Sequence, residues 1–196
     1  TLVLGEHDMG PPAVLEQLDA LGIDLLKVPE AFTADGVAAK VRCVAAALGA
    51  ENAGAELVED MLAEPRGATA AIDPPARGIV VLGLRGGALI AAGANTSGDG
   101  LLRMAGAENQ LISIEGWKPV SIEAVAAAAP EFIVIPERGV RDAGGVDALL
   151  EHPALRLTPA ALDRRVITMD GMAMLGFGPR TIIAADKLRT VLQERP

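Results

Sequence analysis

A chain of 196 residues can bury a sizeable core and holds one large or two small domains. Its balance is acidic, with 17 basic against 26 acidic residues, and only 2% of it is aromatic, which argues against nucleic acid as a partner. No apolar run approaches the roughly 18 residues of a membrane-spanning helix, and a single cysteine, Cys43, excludes an intrachain disulfide.

The chain opens on an apolar strand, Thr1 to Leu4, with no initiator Met, as a fragment of a longer protein would. The loop Gly5 to Pro12 follows. Pro12 suits the first turn of a helix whose stripe is Val14, Leu15, Leu18 and Leu21 and which Gly22 ends. A strand over Leu25 to Val28 completes a βαβ unit and argues for a parallel sheet. Two strands bury little, so their sheet neighbours are expected upstream or from a second molecule, and a homodimer of the fragment is expected. Thr33 or Asp35 caps a helix, Ala34 to Leu48, with Val37, Val41, Val44, Ala45 and Leu48 at helical spacing. Cys43 lies in that pattern and is expected to be a buried core thiol. A helix over Glu51 to Glu64 and a loop over Pro65 to Ala76 follow.

From Arg77 onward the pattern gives a complete second α/β lobe. Val80 to Leu82 reads as a buried strand, Arg85-Gly86-Gly87 as a tight turn, and Ala88 to Ala92 as the returning strand. In the loop after it, Asn95, Thr96, Ser97 and Asp99 can cap a helix running to about Ala105, or offer a polar binding edge beside the indole of Trp117. The later elements are a helix over Ser121 to Ala129 stopped by Pro130, and a strand over Phe132 to Ile135. Short helices near Gly145 to Leu150 and Pro159 to Asp163, a strand over Val166 to Met169 and a helix from Pro179 to about Leu192 complete it.

Few residues suggest chemistry. Glu6, His7 and Asp8 are consecutive, so they cannot readily converge on one metal ion. His7 sits where it could reach a cleft, whereas His152 reads as a surface helix end. There is no nucleophile elbow, P-loop or paired-histidine helix, hence no enzyme signature. Arg138 follows the strand end at Ile135, the place where open α/β sheets bind ligands. Lys118 and Arg141 are weaker cations of the same kind, and Met172, Met174 and Phe177 could form a soft apolar wall.

The runs AGANTSGDGLLRMAGAEN, EGWKPVSIEAVAAAAPEFIVI and GGVDALLEHPALRLTPAALDRRVITMDGMAMLGFGPR resemble the C-terminal lobe of hemin-binding periplasmic proteins. These are the substrate-binding components of bacterial hemin ABC transporters. The opening GEHDMGPPAVLEQL is similar to the last part of their N-terminal lobe. The resemblance implies a class III periplasmic-binding-protein type of α/β fold. It comprises a remnant of the N-terminal lobe over residues 1–32, a linker helix and the following helix over 33–65, and a Rossmann-like lobe over 66–196. It implies heme as the transported ligand, held between two lobes, and the residues expected to face it are Arg138, Trp117, Lys118, Asn95, Thr96, His7, Met9 and Met172. Arg138 matches a family arginine that faces the heme, and Glu123 matches a glutamate that docks to arginines of the inner-membrane permease subunits. The family's iron ligand is typically a tyrosine of the N-terminal lobe. This chain has no tyrosine, and Trp117, in place of the aromatic of the family's Gly-Tyr-Lys-Pro motif, offers an indole N–H that cannot ligate iron. Weak or no hemin coordination is therefore expected of the fragment alone. A receptor of the same fold for cobalamin or an iron siderophore is the first alternative. A small α/β enzyme holding a phosphate-bearing ligand at Asn95 to Asp99 is the second.

Overall fold

The computed structural model describes residues 1–6, 9–63 and 72–194. The chain divides into two compact units, Thr1–Glu64 and Pro65–Pro196.

In the first unit β1 (Leu2–Gly5) and β2 (Asp24–Lys27) pair in parallel around α1 (Pro12–Ala20), with Leu2 opposite Asp24 and Gly5 opposite Lys27. No residue of α1 is buried, and Leu2, Leu4, Val14 and Leu21 stay exposed, because a two-stranded sheet has too little surface to cover them. Thr33, rather than Asp35, caps α2 (Ala34–Ala47) by accepting a hydrogen bond from the Gly36 N–H at 3.0 Å. Helix α3 (Glu51–Ala63) packs back on α2, and a Cβ on Gly54 would lie 2.3 Å from the Cβ of Ala45, so this crossing needs glycine. Cys43 is half-buried rather than a core thiol, because Val37, Ala38 and Ala45 take the inward face of α2. An ion pair joins Lys40 of α2 to Glu6 at the end of β1.

The second unit carries a sheet in the order β6-β4-β3-β7-β8. Its strands are β3 (Ala76–Arg85), β4 (Ala88–Ala92), β6 (Trp117–Val120), β7 (Phe132–Pro136) and β8 (Val166–Met169), and a short β5 (Ala107–Asn109) pairs with the start of β3. β7 runs parallel to β3 and β8 to β7, while β4 lies antiparallel between β3 and β6. One face buries Val80, Ala92, Phe132 and Val134 under α4 (Ser97–Met104), α9 (Gly171–Leu175) and α10 (Pro179–Gln193). The other buries Ile79, Val81, Leu89, Ile133 and Ile135 under α5 (Ile122–Ala128), α7 (Val146–Leu150) and α8 (Pro159–Leu162). The result is a three-layer α/β unit.

Four elements depart from the sequence reading. β3 is longer than Val80 to Leu82, since its turn residues stay paired with β4 down to Arg85 opposite Ala88. β6 hides behind Pro119, which an edge strand tolerates. The six-residue α6 (Glu137–Asp142) has no apolar stripe and starts without a side-chain cap. Helix α9 splits the expected soft wall, because a helix sends Met174 inward under α10 and leaves only Met172 outside; Phe177, just past the helix end, is also buried. The expected loop Pro65 to Ala76 lies largely outside the described residues, and Ala76 opens β3.

Candidate functional site

Beyond the reach of α4 the sheet opens at the C-terminal ends of β3 and β7, with α9 along one side. A trough forms there in two halves that share Leu82, Gly139 and Asp142. The first half, about 700 Å³, is walled by Leu84, Ile90, Trp117 and Pro119. The second, about 640 Å³, is walled by Pro136, Arg138, Arg141, Met172 and Leu175. A crevice outside the carboxyl ends of the strands is where open α/β sheets place ligands.

Two glycines make this shape possible. β3 bulges between Val81 and Gly83, and Gly83 takes φ 138°, a conformation that favours glycine. Gly139 of α6 then rests on the bulge, where a Cβ would sit 2.3 Å from the Leu82 carbonyl oxygen. Backbone against backbone, this contact sets the height of α6 and of the arginines on it.

The charged groups are open to solvent. Arg138 is 83% exposed and pairs with Asp142 at 3.4 Å, and Arg141 lies 3.9 Å from Glu137. Both are helical i,i+4 pairs that a ligand carboxylate can displace, since exposed pairs of this kind are worth only about 0.3–0.5 kcal/mol. Met172, 67% exposed, presents a thioether and methyl beside them. Across the trough the half-buried Trp117 leans on the core, with its ring against Gly98 in the first turn of α4.

The loop that the sequence singled out supports this wall instead of lining it. The Thr96 hydroxyl donates to the Gly93 carbonyl at 2.8 Å and accepts from the Asp99 N–H at 3.1 Å, and the residue is buried. Buried Asp99 meets Arg103 at 3.2 Å, while the Asn109 side chain donates to the Ala92 carbonyl at 3.1 Å. Asn95 is exposed, but its amide donates to Glu115 at 2.9 Å. Its left-handed φ of 56° suits asparagine. The Asn95–Glu115 bond and backbone bonds from the Gly93 N–H to the Gly116 carbonyl and from the Gly116 N–H to the Ala94 carbonyl, both 3.0 Å, tie residues 93–95 to residues 115–116, next to Trp117. Lys118 is not in the trough either: strand alternation puts Trp117 and Pro119 on that face and Lys118 on the opposite face with buried Val120. Arg141 joins Arg138 on the second half of the trough, and Arg85, which the sequence did not single out, lines the first.

Met9 belongs to the first unit, where its side chain packs against Gly5. His7 lies outside the described residues. His152 is less idle than its surface position suggested, for its Nε2 meets the Gly87 carbonyl at 3.0 Å and its Nδ1 accepts from the Ala154 N–H at 3.2 Å. It thereby ties the β3–β4 turn to the loop after α7. Among the described residues no three His, Cys, Asp or Glu side chains converge as a metal site, and no helix is long and apolar enough to cross a membrane. A separate groove of about 460 Å³ between β8 and α10 lies beside Arg180 and Lys187.

Glu123 stands fully exposed in the first turn of α5, which Ser121 caps by accepting from the Ala124 N–H at 3.1 Å. Hydrogen bonds from its own backbone N–H and then from the Ser121 hydroxyl hold its carboxyl below the ordinary glutamate value.

Residues 1–173 match the family described as periplasmic binding protein. The chain belongs to that family. Solved structures agree with the assignment. The periplasmic heme-binding protein BhuT, in complex with two hemes, shares 34% identity over 98% of this chain and 75% of its own, with a TM-score of 0.87. RhuT, a periplasmic heme-binding protein from Roseiflexus sp. RS-1 in apo form, shares 34% over 96% and 74%, with a TM-score of 0.83. HutB, the periplasmic heme-binding protein of Vibrio cholerae, shares 27% over 98% and 76%, with a TM-score of 0.83. No protein of curated function matches the sequence. The family is one of substrate-binding transport proteins and not of enzymes.

Proposed function

We propose that this periplasmic binding protein captures hemin in the periplasm and delivers it to an inner-membrane ABC permease. The observation that carries the reading is the trough, with an indole on one wall and two arginines and a thioether on the other, in a chain that resembles three heme-binding periplasmic proteins.

Each wall answers one part of the ligand. A porphyrin face is large and apolar, and covering it with Trp117, Pro119, Ile90 and Met172 gains roughly 25 cal/mol for every Å² removed from water. The propionates need cations. The chain carries a net charge of −9, so its overall field repels an anionic ligand, and attraction must come from guanidinium groups at short range. Arg138 and Arg141 supply them. A bidentate guanidinium–carboxylate contact contributes about 1.5–3 kcal/mol. The indole cannot ligate iron and the chain has no tyrosine, so the arginines and the apolar wall supply affinity here while axial ligation is left to other residues. Glu123, exposed and ionised, is the docking contact toward permease arginines.

Titration of the full-length gene product with hemin, cyanocobalamin and a ferric siderophore tests the choice of ligand. Hemin should bind with a saturable change in its Soret absorbance, as expected of a heme in an apolar site. Binding of cobalamin or the siderophore with no response to hemin would overturn the reading.

A further inference from the structure

The trough holds a charge that its ligand does not want. Three arginines line it, Arg85, Arg138 and Arg141, but so do three carboxylates, Glu137, Asp142 and Asp170. Two of these acids have local reasons to be there. Asp170 caps α9 by accepting from the Ala173 N–H at 2.8 Å. Glu137 opens α6, where a negative charge suits the helix dipole, and it precedes Arg141 in the order that i,i+4 pairs favour.

Asp142 has neither reason. It is the last residue of α6, the end at which a carboxylate is of the disfavoured sign, and it follows Arg138 in the less favourable order. Its side chain is 61% exposed, so it adds nothing to the core. Among the described residues it is also the only charged one that borders both halves of the trough. A residue that breaks the local rules without supporting the fold points to a task in the site.

We propose that Asp142 is a release residue: its carboxylate stands in for a ligand carboxylate on Arg138 in the empty site and competes for that arginine with the propionate of a bound macrocycle. This rests on the reading of the trough as the hemin site. A ligand propionate replaces the Asp142 carboxylate on Arg138 with a like group, so part of the pairing is already present in the empty site and hemin gains less than it would from a bare arginine. A macrocycle without free carboxylates gains nothing from the exchange. The same competition returns Arg138 to Asp142 as hemin leaves, which hastens release.

The test compares hemin with hemin dimethyl ester, which keeps the macrocycle and iron but lacks the carboxylates, on the full-length gene product. Asp142→Asn should tighten hemin about three- to tenfold and slow its release, leave the ester unchanged, and keep the wild-type melting temperature. Asp142→Glu, which restores the charge, should return hemin affinity toward wild type, and Arg138→Ala combined with Asp142→Asn should erase the gain. An unchanged or weaker hemin affinity in Asp142→Asn, or an equal gain for the ester, overturns the proposal while leaving the hemin site standing. Hemin affinity indifferent to Arg138→Ala overturns both.

Discussion

Gly139→Ala sets two effects against each other within one short helix. Helix propensity alone favours the change by about 0.5–1 kcal/mol, since alanine loses less backbone freedom than glycine. Packing opposes it, because the new Cβ would fall 2.3 Å from the Leu82 carbonyl oxygen and 3.0 Å from the Ile135 side chain. An ordinary carbon–oxygen contact is about 3.3–3.6 Å, so α6 must lift by roughly 1 Å or the β3 bulge must yield. Overpacking of this kind costs about 1–3 kcal/mol. Packing wins on those magnitudes, and at roughly 4 °C per kcal/mol for a lobe of this size the melting temperature should fall by several degrees. The lift also moves Arg138, so hemin affinity should drop by about tenfold. Gly178→Ala is the control, since nothing lies within 4 Å of its Cβ position and its φ of −114° suits any residue. Thermal melts and Soret titrations of both variants decide the matter. A Gly139→Ala protein as stable as wild type and with unchanged affinity would refute the account of how α6 is held.

Glu123→Ala should leave hemin affinity intact and reduce hemin uptake by about tenfold or more, the loss of one charge-assisted contact to the permease. Because hydrogen bonds in the first turn of α5 lower its pKa, the group keeps its charge to lower pH than an ordinary glutamate does. Its favourable effect on the fold is present above the unfolded value and is lost only as pH falls through the lower folded one. Uptake in reconstituted vesicles measured against pH checks both statements. Thr96→Ala removes a buried cap and should cost about 1 kcal/mol of stability with only an indirect effect on hemin affinity, as calorimetry and titration would show. The 196-residue chain alone should dimerise through the apolar groups left open around β1, β2 and α1, and light scattering that finds only monomer at micromolar concentration would contradict this.

How much the sequence revealed follows from how local each signal is. Ala88 to Ala92 and Val166 to Met169 are strands with the bounds read from alternation and flanking turns, and Ser121 caps α5 where its pattern placed a helix start. Arg138 lines the trough, as its place just after a buried strand at the carboxyl edge of a sheet suggests. The polar loop 93–99 misled, since caps and ligand-binding groups look alike until their partners are known, and here Gly93, Glu115 and Asp99 take them. Lys118 faces away from the trough because the strand that turns it is an edge strand that Pro119 conceals in the sequence. Gly139 gave no local signal at all. Its reason is the Leu82 carbonyl, 57 positions earlier in the chain, and only the fold brings the two together. The same is true of Asp142, whose meaning depends on bordering both halves of the trough.

The central claim is that Arg138 meets the ligand's carboxylates in this trough. Its most direct test is a Soret titration of the full-length gene product with hemin, comparing wild type, Arg138→Ala and Arg138→Lys. The alanine variant should bind about one to two orders of magnitude more weakly, the loss of 1.5–3 kcal/mol. Lysine should recover only part of this, because an ammonium lacks the planar fork of guanidinium. Identical hemin affinity in all three proteins would contradict the account.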